Sequence, residues 1–507
     1  MVPTLTPGVE LLGAYQGSGF RSPRYLARRG DGQVAQLPAM LYRLACLIDG
    51  HRDIGAIAAA LGAEYGTEFH GSSGSSRGKV DDPSRDSSDA PSGAPSDAPS
   101  GAPPDAPADD SADDTVDAAS DDERSVERVT FLLDRRLRPA GIVAPPALPD
   151  DEATADRRET SGGAGDAPTR RDHLLMLRLR KALVPERVVW HIAGVFAPLF
   201  HPIAVLVLMA AFVAIDTALV VSAGWSGLVS GGQVLVSTPT LTLAVLATVA
   251  VAGMFHESGH VAACRYGGAI PGPMGVGVYI VWPAFYSTVT DAYRLSRGGR
   301  LRTDLGGVYF NAIAMAALGA AYLVTGSPWL LAAVALLHLE TAWQFLPSLR
   351  LDGYYILADL VGVPDLFARM RPILTGLVHP RRTPPAAVRE LKPWVRRTVT
   401  VWVLLVVPFL AYWVVMFVLL APALAPSAWA ALQDLTAAGV GAVADLRPAL
   451  AALAAVQIVL LVLPWIGGTV LAGTLVRRLV RPPLRAARRA VSARRARGTG
   501  GSAAART

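Results

Sequence analysis

Cysteine is almost missing from this chain. Its 507 residues include only Cys46 and Cys264, so a disulfide framework is excluded and Cys46 is expected on the reducing side of a membrane. Charge is scarce too: Asp, Glu, Lys and Arg make up 17%, against about 25% in soluble domains. Apolar residues reach 51% and gather in a few long runs, which places the chain among membrane proteins. Met1 to Gln36 holds no apolar core long enough for a cleavable signal. Basic residues are rare in one stretch, Gly71 to Glu123, which carries 14 acidic and 3 basic residues. The formal net charge of +6 therefore leaves +17 on the remainder, an excess that membrane topology has to place.

What is present begins with a small soluble module over residues 1–145. Leu37 to Asp49 has apolar residues at helical spacing and stops at Gly50, and Asp53 to Leu61 reads as a second short helix. A closing helix is missing next to them and appears as Ser125 to Leu137, followed by Gly141-Ile142-Val143. Between lies 71–123, built of Ser, Asp, Ala, Pro and Gly, which cannot bury a core and is expected to be a disordered insertion within one domain. Residues 146–169 read as a linker. Residues 170–190 alternate Arg170, Arg171, Arg178, Arg180, Lys181 and Arg187 with leucines, the pattern of a basic helix lying on an anionic leaflet or packing on the bundle.

Six apolar segments follow at about 198–222, 237–262, 306–326, 328–347, 398–424 and 450–476. Arginines crowd the loops after the second and fourth segments and the tail 477–507, where ten stand without an acidic residue. The other loops hold only Arg447 as a basic residue. This asymmetry predicts six spans over 191–476 with both termini cytoplasmic. The tail has the charge for nucleic acid, but its attachment to a span points to membrane anchoring instead.

Polar residues inside such segments need a reason. His256 and His260 stand four apart in the second segment, so one helix face can offer two imidazoles to one metal, with Glu257 beside them to work on a bound water. Taken alone, the triplet also fits two packing histidines with Glu257 at the water interface. The fourth segment runs to Leu351-Asp352-Gly353 at the same inner depth, and Asp352 would complete the three protein ligands of a hydrolytic zinc site. Glu340, on the approach, is a candidate to orient a ligand imidazole. A Gly-Pro-rich stretch, Gly267 to Gly275, with Val276 to Trp282 after it, suits a re-entrant strand or loop.

HExxH on one membrane helix, with Leu-Asp-Gly about a hundred residues later, resembles the site-2 protease family of intramembrane zinc metallopeptidases. Trp282-Pro283-Ala284-Phe285-Tyr286, Asp291-Ala292-Tyr293-Arg294-Leu295 and Gly306-Gly307-Val308-Tyr309-Phe310-Asn311 add to the likeness. Gln344 departs from it, since relatives often carry Asn three residues before the Pro of this motif. The N-terminal module resembles the PqqD-like peptide-binding domain, as in the peptide zinc metalloprotease branch of the family. The resemblance implies a predominantly α, polytopic membrane helix bundle with a small winged-helix-like α+β domain. It also implies one zinc per chain on His256, His260 and Asp352, with Glu257 as the catalytic base and Asn311 positioning substrate or oxyanion. The implied substrate is a peptide or membrane-anchored protein in a bacterial-type cell membrane, with a leader peptide held by the N-terminal domain and no nucleic-acid partner. A non-proteolytic peptide exporter or immunity protein with a structural metal site is the alternative, and a metal transporter is a third reading.

Overall fold

The computed structural model describes residues 2–30, 34–70, 113–145, 178–279, 282–379, 385–470 and 473. The chain divides into two units, one of Met1–Gly13 with Arg24–Ala167 and one of Ala14–Pro23 with Pro168–Thr507.

In the first unit three short strands, β1 (Glu10–Ala14), β2 (Arg24–Arg28) and β3 (Val34–Pro38), form a sheet in that order. Helix α1 (Ala39–Leu47) follows. It ends in an Asx turn, where the Asp49 carboxylate accepts from the backbone of His51 and Arg52, both at 2.9 Å, and Gly50 takes φ +80°, a conformation that residues with a Cβ disfavour. Asp53 then accepts from Ala56 N at 2.8 Å and starts α2 (Ile54–His70). Helix α3 (Asp113–Leu132) runs on through a π-helical turn, Leu133–Leu137. Val129, Leu133 and Leu137 share one buried cluster with Leu44, Ile57 and Leu61, each side chain contributing about 1.5–3 kcal/mol by leaving water.

Two expectations change here. Helix α3 begins at Asp113, so 113–123 is helical where disorder was expected. That stretch contains neither Pro nor Gly, unlike the repeats before it, and nothing in it breaks a helix. Residues 14–23 belong with the second unit rather than with the module whose strands they connect. The rest of the acidic insertion, the linker 146–169 and the tail 477–507 lie outside the described residues.

The second unit is helical around a small sheet. Residues 178–184 form strand β4, not a helix; β4 (Arg178–Val184), β5 (Met274–Tyr279) and β6 (Trp282–Ser287) are antiparallel neighbours in that order. Strand β5 supplies the edge on which Arg178 to Val184 pair, and residues 170–177 of the expected helix lie outside the described residues. Arg180 lies over the Tyr286 ring at 4.1 Å. The helical part of the expected segment starts later, as α4 (Glu186–Phe196).

The helices after it are α5 (Pro202–Ser222), α6 (Gly224–Ser237), α7 (Pro239–Tyr266), α8 (Arg297–Thr325), α9 (Pro328–Gln344), α10 (Asp352–Val361), α11 (Phe367–Val378), α12 (Pro393–Ala444) and α13 (Pro448–Val470). The protein is mostly helical. Helices α5, α7, α8, α12 and α13 are long and apolar enough to cross a membrane, and they expose side chains such as Leu206, Val213, Val251, Val324 and Leu405, as lipid-facing helices do. These features suggest a membrane protein. The fourth expected span is shorter than the other five: α9 has 17 residues, about 25 Å at 1.5 Å per residue against a hydrocarbon layer of about 30 Å. Pro347 explains the early stop, because proline pushes the residue before it out of the helical region. The loop expected at 223–236 is the helix α6.

Candidate metal centre

Helix α7 carries His256, Glu257 and His260, with both histidines buried and Glu257 partly so. Helix α8 lies against it at very short range. A Cβ at Gly259 would overlap the Gly306 carbonyl, and a Cβ at Gly307 would overlap Nε2 of both His256 and His260. Small residues at such a crossing let two backbones meet. The imidazoles therefore fill the space that a side chain at 307 would take.

His260 Nδ1 stands 2.8 Å from the Thr303 carbonyl oxygen. A carbonyl only accepts, so Nδ1 carries the proton and Nε2 keeps its lone pair. That lone pair points to His256 Nε2 at 3.1 Å and to Asp352 Oδ2 at 3.5 Å, and His256 Nε2 is 3.2 Å from the same carboxylate oxygen. A tetrahedral ion bonded at 2.0–2.1 Å separates its ligands by about 3.3 Å. The three atoms thus sit at the edge lengths of a metal site, and Asp352 Oδ2 is buried with no hydrogen-bond partner. These are donors that a cation would satisfy, and they fit zinc by ligand type.

Asp352 reaches this place because its loop is held on two sides. Arg350 N donates to the Tyr279 hydroxyl at 2.7 Å, and Trp402 Nε1 donates to the Pro347 carbonyl at 2.9 Å. Gly353 packs on the backbone of Phe345, where a Cβ has no room.

Of the expected site residues, His256, His260 and Asp352 converge, and Glu257 follows His256 on α7, partly buried and outside that group. Asn311 is buried and gives Nδ2 to Thr341 Oγ1 of α9 at 2.9 Å, an interhelical bond that occupies one of its two N–H groups. Glu340 accepts from Gln344 Nε2 at 3.4 Å, and His256 Nδ1, the atom it was expected to orient, has no hydrogen-bond partner among the described residues.

Sequence reasoning missed Thr303, which acts through a backbone oxygen, and a second buried cluster beside the site. Arg300, 1% exposed, donates from Nε to Asp359 Oδ1 at 2.9 Å, and the Tyr15 hydroxyl donates to the same oxygen at 3.0 Å. Burial and the neighbouring Asp359 carboxylate both push the Tyr15 phenol up from its ordinary range. The one legible signal was spacing: Asp359 falls seven residues after Asp352, two turns along the same helix face. Replacing Asp359 with Ala would leave the Arg300 charge buried without its carboxylate. The expected loss is about 3–5 kcal/mol, read as a lower melting temperature of the purified protein in detergent.

Over 120 residues, 23% of this chain, the sequence is 28% identical to a Bacillus subtilis (strain 168) protein named "Putative peptide zinc metalloprotease protein YydH". The match covers 47% of that protein, so the chain spans about half the length of the curated relative it matches. This similarity supports a metallopeptidase kind of function. No family model and no solved structure matches the chain.

Proposed function

We propose that the chain is an intramembrane zinc endopeptidase of the site-2 protease type, cleaving a peptide or a membrane-anchored protein. The observation that carries this reading is the convergence of His256 Nε2, His260 Nε2 and Asp352 Oδ2 beside a carboxylate, Glu257, that is not part of the ligand set. A metal site that only binds or only stabilises has no use for that carboxylate.

Zinc held by the three ligands would supply a polarising charge and a water acidic near neutral pH. Thr303 fixes the His260 tautomer so that its lone pair faces the ion. Glu257 takes the proton of the attacking water and returns it to the leaving amine nitrogen. The second N–H of Asn311 is left to hold the substrate carbonyl as negative charge develops on it. An extended substrate backbone has a partner in β6, whose outer edge pairs with no strand among the described residues.

The basic loops put both termini in the cytoplasm. The N-terminal module, with its PqqD-like pattern, captures a leader peptide there, which makes the protein a maturation protease for ribosomally made, modified peptides. Chelation tests the chemistry. Cleavage of a co-expressed leader-bearing peptide in isolated membranes is expected to stop with 1,10-phenanthroline and to return with added zinc. Cleavage that continues in chelator contradicts the proposal.

A further inference from the structure

The segment from Ala14 to Pro23 links β1 to β2, yet it is built into the second unit. Its contacts are specific. Tyr15 donates to Asp359, and the Gln16 carbonyl accepts from Arg300 Nη2 at 2.9 Å. Arg300 Nη1 gives a third bond to the Leu295 carbonyl at 2.9 Å, and the guanidinium lies over the Tyr15 ring at 4.4 Å. Further on, Gly19 N donates to Gly362 O at 2.9 Å, Lys392 N donates to Gly19 O at 2.9 Å, and Arg21 N donates to Glu390 O at 2.8 Å. Phe20 is 2% exposed, in one apolar cluster with Tyr354 and Val361.

The contacts of Tyr15, Gly19 and Phe20 bear on α10, the helix that Asp352 begins, and those to Glu390 and Lys392 fix the strap at the start of α12. Asp359 anchors its inner face, Gly362 closes its end, and Tyr354 lies two residues from the ligand. Arg300 also stands one turn before Thr303 on α8, whose carbonyl orients His260. The same guanidinium thus ties the helix behind one ligand to the helix that carries another, and its bonds are complete only with Tyr15 and Gln16 in place.

We propose that residues 14–23 are a positioning strap for the metal centre, with Tyr15 setting Asp352 through Asp359 and Arg300. This rests on the metal site described above.

Cobalt(II) loaded into the full-length protein in detergent provides the test, since its visible absorption reports ligand geometry. Tyr15→Phe removes one hydroxyl and touches no ligand. It is expected to weaken cobalt binding about tenfold, the scale of lost ligand support, and to alter the band, while the metal-free protein melts near the wild-type temperature. Wild-type affinity and an unchanged band in Tyr15→Phe overturn the strap. Asp359→Asn keeps an acceptor oxygen but not the charge, and it is expected to move the band in the same direction. If Tyr15→Phe does not fold, a folded Asp359→Asn with an unchanged band overturns the proposal. Failure of the metal centre itself looks different: wild type and His256→Ala would then take up cobalt alike, which overturns both.

Discussion

Glu257→Gln is expected to stop cleavage while leaving the metal in place. The substitution keeps the shape of the side chain and removes its ability to take a proton, and a positioned general base contributes about 10²–10⁴-fold. Glu257 is absent from the group whose donor atoms converge, so metal content should match wild type. The measurement is mass spectrometry of new protein N-termini in membranes expressing either form. Termini present with wild type and missing with Glu257→Gln give the substrates directly. Identical termini would remove Glu257 from the chemistry.

Gly307→Ala is expected to empty the site without touching a ligand. The added carbon falls on Nε2 of both His256 and His260. Helices α7 and α8 cannot separate cheaply, because Gly259 and Gly306 already bring their backbones together. The imidazoles must turn away, and metal affinity should fall at least about tenfold, as when ligand support is lost. Gly298→Ala is the control on the same helix, since a carbon there meets nothing within 4 Å. It should bind metal as wild type does. Equal metal content in the two variants would show that the imidazoles do not occupy the space beside Gly307.

The pair His256 and His260 was legible because a helix repeats every 3.6 residues and its side chains at four-residue spacing face one way. Asp352 was legible through topology, which ends the fourth segment at the depth of the histidines, and the Leu-Asp-Gly resemblance added to it, since nothing local to Asp352 encodes a partner a hundred residues away. Thr303 could not be read, because it contributes a carbonyl that every residue possesses. Tyr15 could not be read either: its partner Asp359 lies 344 positions along the chain. The basic segment was read as a helix, and the edge of β5, invisible in sequence, makes its residues 178–184 a strand instead. Apolar length picked out five helices long enough to cross a membrane, but α12 continues to Ala444 through most of the loop expected at 425–449, and Pro347 trimmed α9 below the length of the others.

The most direct test of the central claim is the metal content of the detergent-purified protein, measured by elemental mass spectrometry for wild type, His256→Ala and Asp352→Ala. The account predicts about one zinc per chain in wild type and none in either variant, since each removes one of three ligands drawn from two distant helices. Zinc retained in Asp352→Ala would contradict it.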